Sequence, residues 1–362
     1  MKKICFFNSN KAWGGGEKWN HHFSLLLRDA GYEVFVATNK ASELYQKLEN
    51  EPGITLSEFS VSNLSFLNPL SFITLRNYFH KNKIDCVIMA LPSDLKTAGI
   101  AAKAAGVSKI IYRRGIAVPV RNSKLNRYLF SRIIDRLIVN SIETKKMVLK
   151  NAPNLISNDK IRLIYNGFDV ADFDSQQSQP VIEKKDNEII IGNAARLTIQ
   201  KGQKYLLEAA AILRDKGLNF RIAIAGTGEL QDQLMGLVRK FDLDDRVEFL
   251  GFVDDMKSFY QSIDIFCLPS LWEGFGYALV EAMTMEKPVA AFDISSNPEV
   301  VANNSTGLLV ESGNVEKLSE ALERLILNSE LRNKMGKEGR KRVLENFDTP
   351  LVLGKLKDLI EE

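Results

Sequence analysis

Short apolar runs of four to six residues alternate along this chain with longer stretches in which apolar positions recur every three or four residues. The first pattern is that of strands covered on both faces and the second that of amphipathic helices. Their alternation predicts parallel sheets wrapped by helices. Runs at 3–8, 33–38, 85–89, 109–112 and 136–140 read as strands of one sheet. Gly14-Gly15-Gly16 follows the first of them, and a helix predicted over 18–29 stops at Gly31, a C-terminal capping glycine. The alternation then breaks in a polar, turn-rich stretch that includes Ser175-Gln176-Gln177-Ser178-Gln179-Pro180, the composition of a linker. It restarts with strands at 188–193, 219–225, 247–250, 263–268, 288–292 and 307–310, separated by helices and followed by a charged tail helix. The expected organisation is a first domain over 1–168, a linker over 169–186 and a second domain over 187–345, with a helix over 346–362 crossing back onto the first. Two doubly wound, Rossmann-like parallel-sheet domains bind ligands at the carboxyl ends of their strands, and those ends are expected to face a cleft.

A length of 362 residues suits two domains. With 45% hydrophobic, 26% charged and 9% aromatic residues, the chain is not disordered, collagen-like or of low complexity. No apolar run approaches the ~20 residues that span a bilayer. The apolar core at the N-terminus stops after four residues, which reads as a buried strand rather than a secretory signal and points to the cytoplasm. Cys5, Cys86 and Cys267 sit singly in apolar runs, and the three histidines lack ligand spacing, so neither a disulfide framework nor catalytic zinc is expected. Two Asp-x-Asp matches, Asp172-Phe173-Asp174 and Asp242-Leu243-Asp244, read as surface turns rather than clamps for a divalent ion. Net charge is +3, but fourteen basic and only three acidic side chains lie between Lys103 and Arg162, so the rest of the chain is net acidic. That asymmetry points to an anionic partner, either a membrane surface or a phosphorylated acceptor. Nucleic acid fits poorly, because interleaved aromatics and a reading motif are missing.

The most informative stretch is Pro269-Ser270-Leu271-Trp272-Glu273-Gly274-Phe275-Gly276-Tyr277-Ala278-Leu279-Val280-Glu281. It leaves an apolar strand, passes through glycines and enters a helix whose first amides, from Phe275 to Ala278, are free to meet a phosphate. Glu273 and Glu281 place a carboxylate at each end of the segment, suited to gripping hydroxyl groups. Upstream, Arg196 and Lys201 follow another strand in the loop Ala195-Arg196-Leu197-Thr198-Ile199-Gln200-Lys201-Gly202. Two cations at the end of a strand suit a diphosphate. Gly14-Gly15-Gly16 is neither a dinucleotide fingerprint nor a Walker A loop, yet its glycines allow close backbone approach.

Taken together, these motifs resemble the retaining glycosyltransferases of family 4, which have the GT-B fold. The resemblance rests on the Glu273 to Glu281 segment and on Arg196 with Lys201-Gly202. It rests also on Ala225-Gly226-Thr227-Gly228-Glu229, Gly251-Phe252-Val253, Tyr165-Asn166-Gly167 and Gly14-Gly15-Gly16-Glu17, in the family's order along nearly the whole chain. It implies a glycosyltransferase that moves a sugar, with retention, from a nucleotide-diphosphate donor to a hydroxyl of a cell-surface glycan or lipid-linked acceptor: lipopolysaccharide core, O-antigen or capsule. Arg196 and Lys201 are then expected on the diphosphate, Glu273 on the donor sugar and Glu281 on the ribose. Gly274, Phe275, Gly276, Tyr277 and Ala278 are expected around the phosphates, Gly226, Gly228, Phe252 and Val253 around the nucleotide, and Gly15 and Gly16 over the diphosphate. No metal or other cofactor is expected. Relatives carry a histidine near Tyr112-Arg113-Arg114-Gly115 where this chain has none, so Arg113 or Arg114 is expected to meet an anionic acceptor or the reacting phosphate. The helices expected at 122–131 and 143–150 are read as docking on anionic lipid of the inner leaflet or binding a phosphorylated glycan. A nucleotide-sugar epimerase or hydrolase of the same fold and a non-catalytic nucleotide-sugar-binding subunit are the alternatives. The first should show paired acids or histidines in the first domain, and the second should keep the phosphate loops and lose the acceptor site; intact Glu273, Arg196 and Lys201 together weigh against it.

Overall fold

A computed structural model describes residues 1–362. It divides into two compact units, residues 1–166 with 352–362, and residues 167–351.

The first unit is a seven-stranded sheet built from β1 (Lys3–Asn8), β2 (Glu33–Thr38), β3 (Ile54–Glu58), β4 (Cys86–Met89), β5 (Lys109–Arg114), β6 (Arg136–Val139) and β7 (Ile161–Leu163), in the order β3-β2-β1-β4-β5-β6-β7. All of its neighbours pair in parallel, which demands helical crossovers and buries both faces. The period of two is visible along β1. Cys5 and Phe7 enter one core with Val87, Met89, Ile110 and Tyr112, while Ile4 and Phe6 enter the other with Val34, Val36, Cys86 and Ile88. The second face is covered by the helix Gly15–Asp29, through Trp19, Phe23 and Leu27, and by the helix Thr349–Glu361, through Val352, Leu356, Leu359 and Ile360. All three cysteines are buried, and burial pushes the thiols of Cys5 and Cys86 up to about 12, which leaves them inert.

The second unit has six strands, β8 (Ile189–Ala194), β9 (Phe220–Ala225), β10 (Val247–Gly251), β11 (Ile265–Leu268), β12 (Val289–Phe292) and β13 (Gly307–Val310), again all parallel and ordered β10-β9-β8-β11-β12-β13. In both sheets the order reverses beside the first strand. The switch points therefore lie between β1 and β4 and between β8 and β11, where loops diverge to opposite faces and leave a crevice.

Several boundaries differ from those expected. Strands β3 and β7 lie at the two edges of the first sheet. β3 alternates exposed and half-buried positions and β7 is three residues long, so neither carries a clear apolar run. The stretch read as a linker holds the helix Val170–Ser175, capped by Asp169 and anchored by buried Val170 and Phe173. Asp172 and Asp174 consequently sit on a helix, and Asp174 pairs with Arg340 at 2.5 Å rather than marking a turn. The helix expected at 122–131 is a short α-helical segment, Lys124–Tyr128, running into a π turn, Leu129–Ile133. At the far end, one helix fills Ser329–Asn346 and a separate one fills Thr349–Glu361, so the return to the first unit comes at Val352 and not at residue 346.

Candidate functional site

At the switch point of the second sheet, the loops leaving β8 and β11 are tied together by backbone. Leu271 N–H donates to the Gln200 carbonyl at 2.8 Å, and the Gln200 side chain donates to the Trp272 carbonyl at 2.8 Å. Gly202 makes this approach possible. Its φ is +64°, and a Cβ there would overlap the Pro269 carbonyl oxygen, so only glycine fits. Lys201, one residue earlier, reaches across and places Nζ 2.6 Å from Glu273 Oε1. The buried Ser270 hydroxyl donates to the same oxygen at 2.7 Å. Glu273 is only 8% exposed, and these two donors replace the water that burial removes from Oε1. Oε2 of Glu273 and the two remaining ammonium protons of Lys201 are left for a ligand.

Arg196, in the same loop, is exposed and its guanidinium makes no hydrogen bond or ion pair. The loop beneath it is held by Gln203, which donates to the Arg196 carbonyl at 3.1 Å. It is also clamped by the loop after β9. Leu197 N–H donates to the Thr227 carbonyl at 2.9 Å, and Gly226, with φ +134°, lies so close to the Ala195 carbonyl that a Cβ would overlap it. Gly226 N–H in turn donates to the Gly251 carbonyl at 2.6 Å, bringing the end of β10 into the same rim. Phe252, just beyond, is 77% exposed.

The helix Tyr277–Thr284 starts directly after Glu273-Gly274-Phe275-Gly276, and no side chain caps its first turn. The positive end of its macrodipole is therefore not neutralised by a capping side chain. Glu281 lies one turn in and accepts a hydrogen bond at 2.9 Å from the Tyr260 hydroxyl. Tyr260 is fully buried, and burial together with this carboxylate pushes its hydroxyl far above the ordinary range, so it remains a donor. A hollow of about 560 Å³ in this unit lies at the opposite end of the sheet, against Glu188, Ile189 and Asn219 at the amino ends of β8 and β9, and has no part in this constellation.

The first unit also gathers polar groups at its switch point. Asn8 and Asn10 donate to Glu17 Oε1 at 3.1 and 3.0 Å, and Ser9 donates to Asp94 through its hydroxyl at 2.5 Å and its amide at 3.1 Å. Asp94 is fully buried, and burial raises its carboxyl to about 7. Gly14 caps the helix Gly15–Asp29, and Cβ atoms on Gly15 or Gly16 would meet nothing. These two glycines leave space in front of a helix N-terminus that the fold itself does not require. The two arginines diverge. Arg113 is buried, stacked 4.3 Å over Trp19 and donating to Asn166 Oδ1 at 2.6 Å. Arg114 lines a pocket with Tyr112. Arg113 thus positions the end of β5, and only Arg114 faces open space.

Comparison with known proteins follows the same two halves. Residues 13–172 match the glycosyltransferase family 4 model, and residues 174–342 match the model of glycosyl transferases group 1. An uncharacterized glycosyltransferase of Haemophilus influenzae is 25% identical over 356 residues, covering 94% of this chain and 95% of that one. A UDP-Gal:alpha-D-GlcNAc-diphosphoundecaprenol alpha-1,3-galactosyltransferase of Escherichia coli is 27% identical over 351 residues, covering 92% and 90%. The crystal structure of Anabaena HepE in complex with UDP superposes with a TM-score of 0.83 over 100% of both chains, at 20% identity. This chain belongs to the GT-B glycosyltransferases of the family 4 type.

The glycosyltransferase brings together, around one rim of its second unit, Arg196, Lys201, Gly226, Gly228, Phe252, Val253, Glu273, Gly274, Phe275, Gly276, Tyr277, Ala278 and Glu281. Gly15, Gly16 and Arg114 lie in the first unit. Sequence reasoning missed the groups that hold these residues. Ser270 was on the page, three residues before Glu273, as a polar side chain closing a buried strand. Asn8, Ser9 and Asn10 gave the same signal after β1. Tyr260 and Asp94 gave none, since each reaches its partner only through the fold. No helix of the glycosyltransferase is long and apolar enough to cross a membrane.

Proposed function

We propose that this glycosyltransferase transfers a sugar, with retention of anomeric configuration, from a nucleoside diphosphate sugar to a hydroxyl of a lipid-linked glycan at the membrane surface. The observation that carries the reading is the Lys201–Glu273 pair beside an unpartnered Arg196 and an uncapped helix N-terminus, all at the switch point of the second sheet. The diphosphate lies on Arg196, Lys201 and the amides of Gly276 to Ala278. Glu273 Oε2 orients a hydroxyl of the donor sugar, Glu281 holds the ribose, and Gly226, Gly228, Phe252 and Val253 line the nucleotide. The space in front of Gly15 and Gly16, at a helix N-terminus of the first unit, suits a phosphate as well. When the bond from the anomeric carbon to the phosphate oxygen breaks, negative charge grows on the departing diphosphate. Fixed cations stabilise that charge more in the transition state than before it. The acceptor hydroxyl attacks on the face that the diphosphate leaves, and its proton passes to the departing phosphate oxygen. The products are the glycoside and the free nucleoside diphosphate.

Two side-chain cations and a helix N-terminus supply the charge that a divalent ion supplies elsewhere, so the proposed reaction needs no metal. The lipid-linked acceptor draws support from the Escherichia coli relative, whose name contains a diphosphoundecaprenol acceptor. The basic 103–162 stretch supports a reading in which the protein docks on the inner leaflet, at about 1 kcal/mol per basic residue near an anionic surface. Changing Arg121, Lys124, Arg127 and Arg132 to Glu removes sedimentation with anionic liposomes; unchanged sedimentation rejects the membrane assignment. A thermal-shift series with UDP, GDP and ADP tests the donor site, because a ligand that binds only the native state raises Tm. The matching nucleotide should raise Tm in the wild type and not in Lys201→Ala. With the correct donor, Lys201→Ala should lose on the order of 100-fold in kcat, and undiminished turnover removes the clamp from the mechanism.

A further inference from the structure

The carboxyl ends of β4 and β5 enclose a cavity of about 250 Å³ that the donor chemistry does not use. Its floor is apolar: Leu95, Tyr112, Val120, Leu129 and Phe130 are all at least nine-tenths buried, with Tyr112 and Phe130 edge to face at 5.8 Å. Its polar lining is Arg114, Arg121 and Asn126. Arg114 donates to the Val118 carbonyl at 3.1 Å and is hydrogen-bonded to the Tyr112 hydroxyl, and its Nε has no acceptor. The Arg121 guanidinium makes no hydrogen bond, and the Asn126 amide is turned onto the Arg121 carbonyl at 2.7 Å. No aspartate or glutamate occurs between Leu95 and Ile134, and Arg114, Arg121, Lys124, Arg127 and Arg132 make no ion pair. Exposed apolar side chains flank the lining residues in sequence, with Ile116 64%, Val118 51% and Tyr128 49% exposed. The turn Ser65–Leu67 packs on the turn that supplies Leu95, and beside it Leu64, Leu67 and Leu70 are 69%, 67% and 73% exposed.

We propose that this cavity holds the phosphate-bearing end of the lipid-linked acceptor, with the phosphate on Arg114 and Arg121 and the first carbons of the lipid chain on the apolar floor. The proposal rests on the lipid-linked acceptor argued above and adds the place where that acceptor is held. The lining excludes a simpler ligand. A sugar ring is gripped by several carboxylates and amides that accept from its hydroxyls, and this wall offers guanidinium donors, no carboxylate and a single amide oxygen, that of Asn126. Guanidinium groups with donors to spare and no carboxylate partner match a phosphate, and the floor below them matches hydrocarbon. The volume lies below the roughly 300–1,000 Å³ typical of whole-ligand pockets, so it suits one end of a long molecule. Exposed leucines and a tyrosine next to such a site fit a chain whose remainder stays in a bilayer.

Farnesyl diphosphate, a short amphiphile with the required phosphate, is the probe, titrated by calorimetry with UDP at saturation so that the diphosphate site is occupied. The wild type should bind it, and inorganic pyrophosphate should not compete. Val120→Trp, which fills the cavity, and Arg114→Gln, which leaves its shape, should each weaken binding by about tenfold or more, while the UDP-induced rise in Tm stays as in the wild type. Binding in both variants equal to that of the wild type overturns the cavity assignment and leaves the lipid-linked acceptor standing. Absence of binding to the wild type overturns both. A third arm uses phosphatidylglycerol vesicles free of prenyl phosphate. If Arg114→Gln abolishes vesicle binding and farnesyl diphosphate does not compete for it, the cavity takes a bilayer headgroup and the acceptor assignment fails.

Discussion

Glu273 illustrates how much of a functional residue's behaviour is set by its neighbours. A carboxylate that is 8% exposed needs donors in place of water, and Lys201 and Ser270 both converge on Oε1. Loss of the Ser270 hydroxyl removes one neutral-to-charged hydrogen bond, worth about 1–2 kcal/mol. Ser270→Ala should therefore lower kcat/KM roughly five- to thirtyfold while leaving Tm within a few degrees. An unchanged kcat/KM in steady-state assays shows that Lys201 alone orients Glu273. Asp94 carries the opposite balance, because burial outweighs the two hydrogen bonds from Ser9 and raises its carboxyl to about 7. Its value in the unfolded chain is near 3.8. Between those values the folded state holds the proton and the unfolded state has lost it, so stability falls as pH rises from about 4 to 7, by up to about 1.4 kcal/mol per unit. Asp94→Asn removes that slope. Urea denaturation at several pH values checks it, and parallel curves for the two proteins would show that Asp94 ionises as in the unfolded chain.

Helices and loops here meet at distances that only glycine permits, and this is where sequence and fold separate most clearly. The alternation of apolar runs and amphipathic stretches was enough to read both sheets, because strands such as Ile4–Phe7 are buried on both faces and leave an unbroken signal. It was not enough for β3 and β7, whose edge positions are half exposed, or for the helix Val170–Ser175, where Val170 and Phe173 are the only buried anchors in a polar stretch. The motif residues were legible as types and spacings; what each touches was not, since Lys201 and Glu273 are 72 positions apart. Gly336 shows the same limit inside a helix. It lies in Ser329–Asn346, where a Cβ would overlap the Glu286 carbonyl at the end of the helix Tyr277–Thr284. Alanine is better than glycine in a helix interior by about 1 kcal/mol. The overlap is with backbone and cannot rotate away, so overpacking at about 1–3 kcal/mol should win. Gly336→Ala should lower Tm; an increase would mean that the two helices separate at little cost. Gly15 gives the reverse case. With nothing near its Cβ, Gly15→Ala should leave Tm unchanged or raised, while KM for the donor increases as the space before the helix fills.

The whole chain is two sheets linked at two crossings, and the second crossing gives the first unit part of its core. Val352, Leu356, Leu359 and Ile360 enter the same face of the first sheet as Trp19 and Phe23. Polar contacts fix the register of this helix. Lys2 pairs with Glu361 at 2.9 Å, Arg136 with Glu362 at 3.0 Å and Arg162 with Glu362 at 3.1 Å, and Lys109 donates to the Leu359 carbonyl at 2.8 Å. The ion pairs are partly exposed and contribute little; the four apolar side chains, at about 1.5–3 kcal/mol each when fully buried, dominate. In the second unit the crossing segments lie side by side. Phe168 N–H donates to the Phe347 carbonyl at 2.9 Å, Thr349 N–H donates to the Phe168 carbonyl at 3.0 Å, and the Phe347 ring lies 5.5 Å from Phe275 in the loop between Glu273 and the helix Tyr277–Thr284. Deleting residues 352–362 leaves that arrangement in place and removes several kcal/mol from the first unit alone. Calorimetry of the truncated protein should then show two transitions where each unit unfolds on its own, the lower one belonging to the first unit. The nucleotide found by the thermal-shift series should raise mainly the upper transition, because every side chain assigned to it belongs to residues 167–351. A nucleotide that moves the lower transition would place its dominant contacts on the first unit instead.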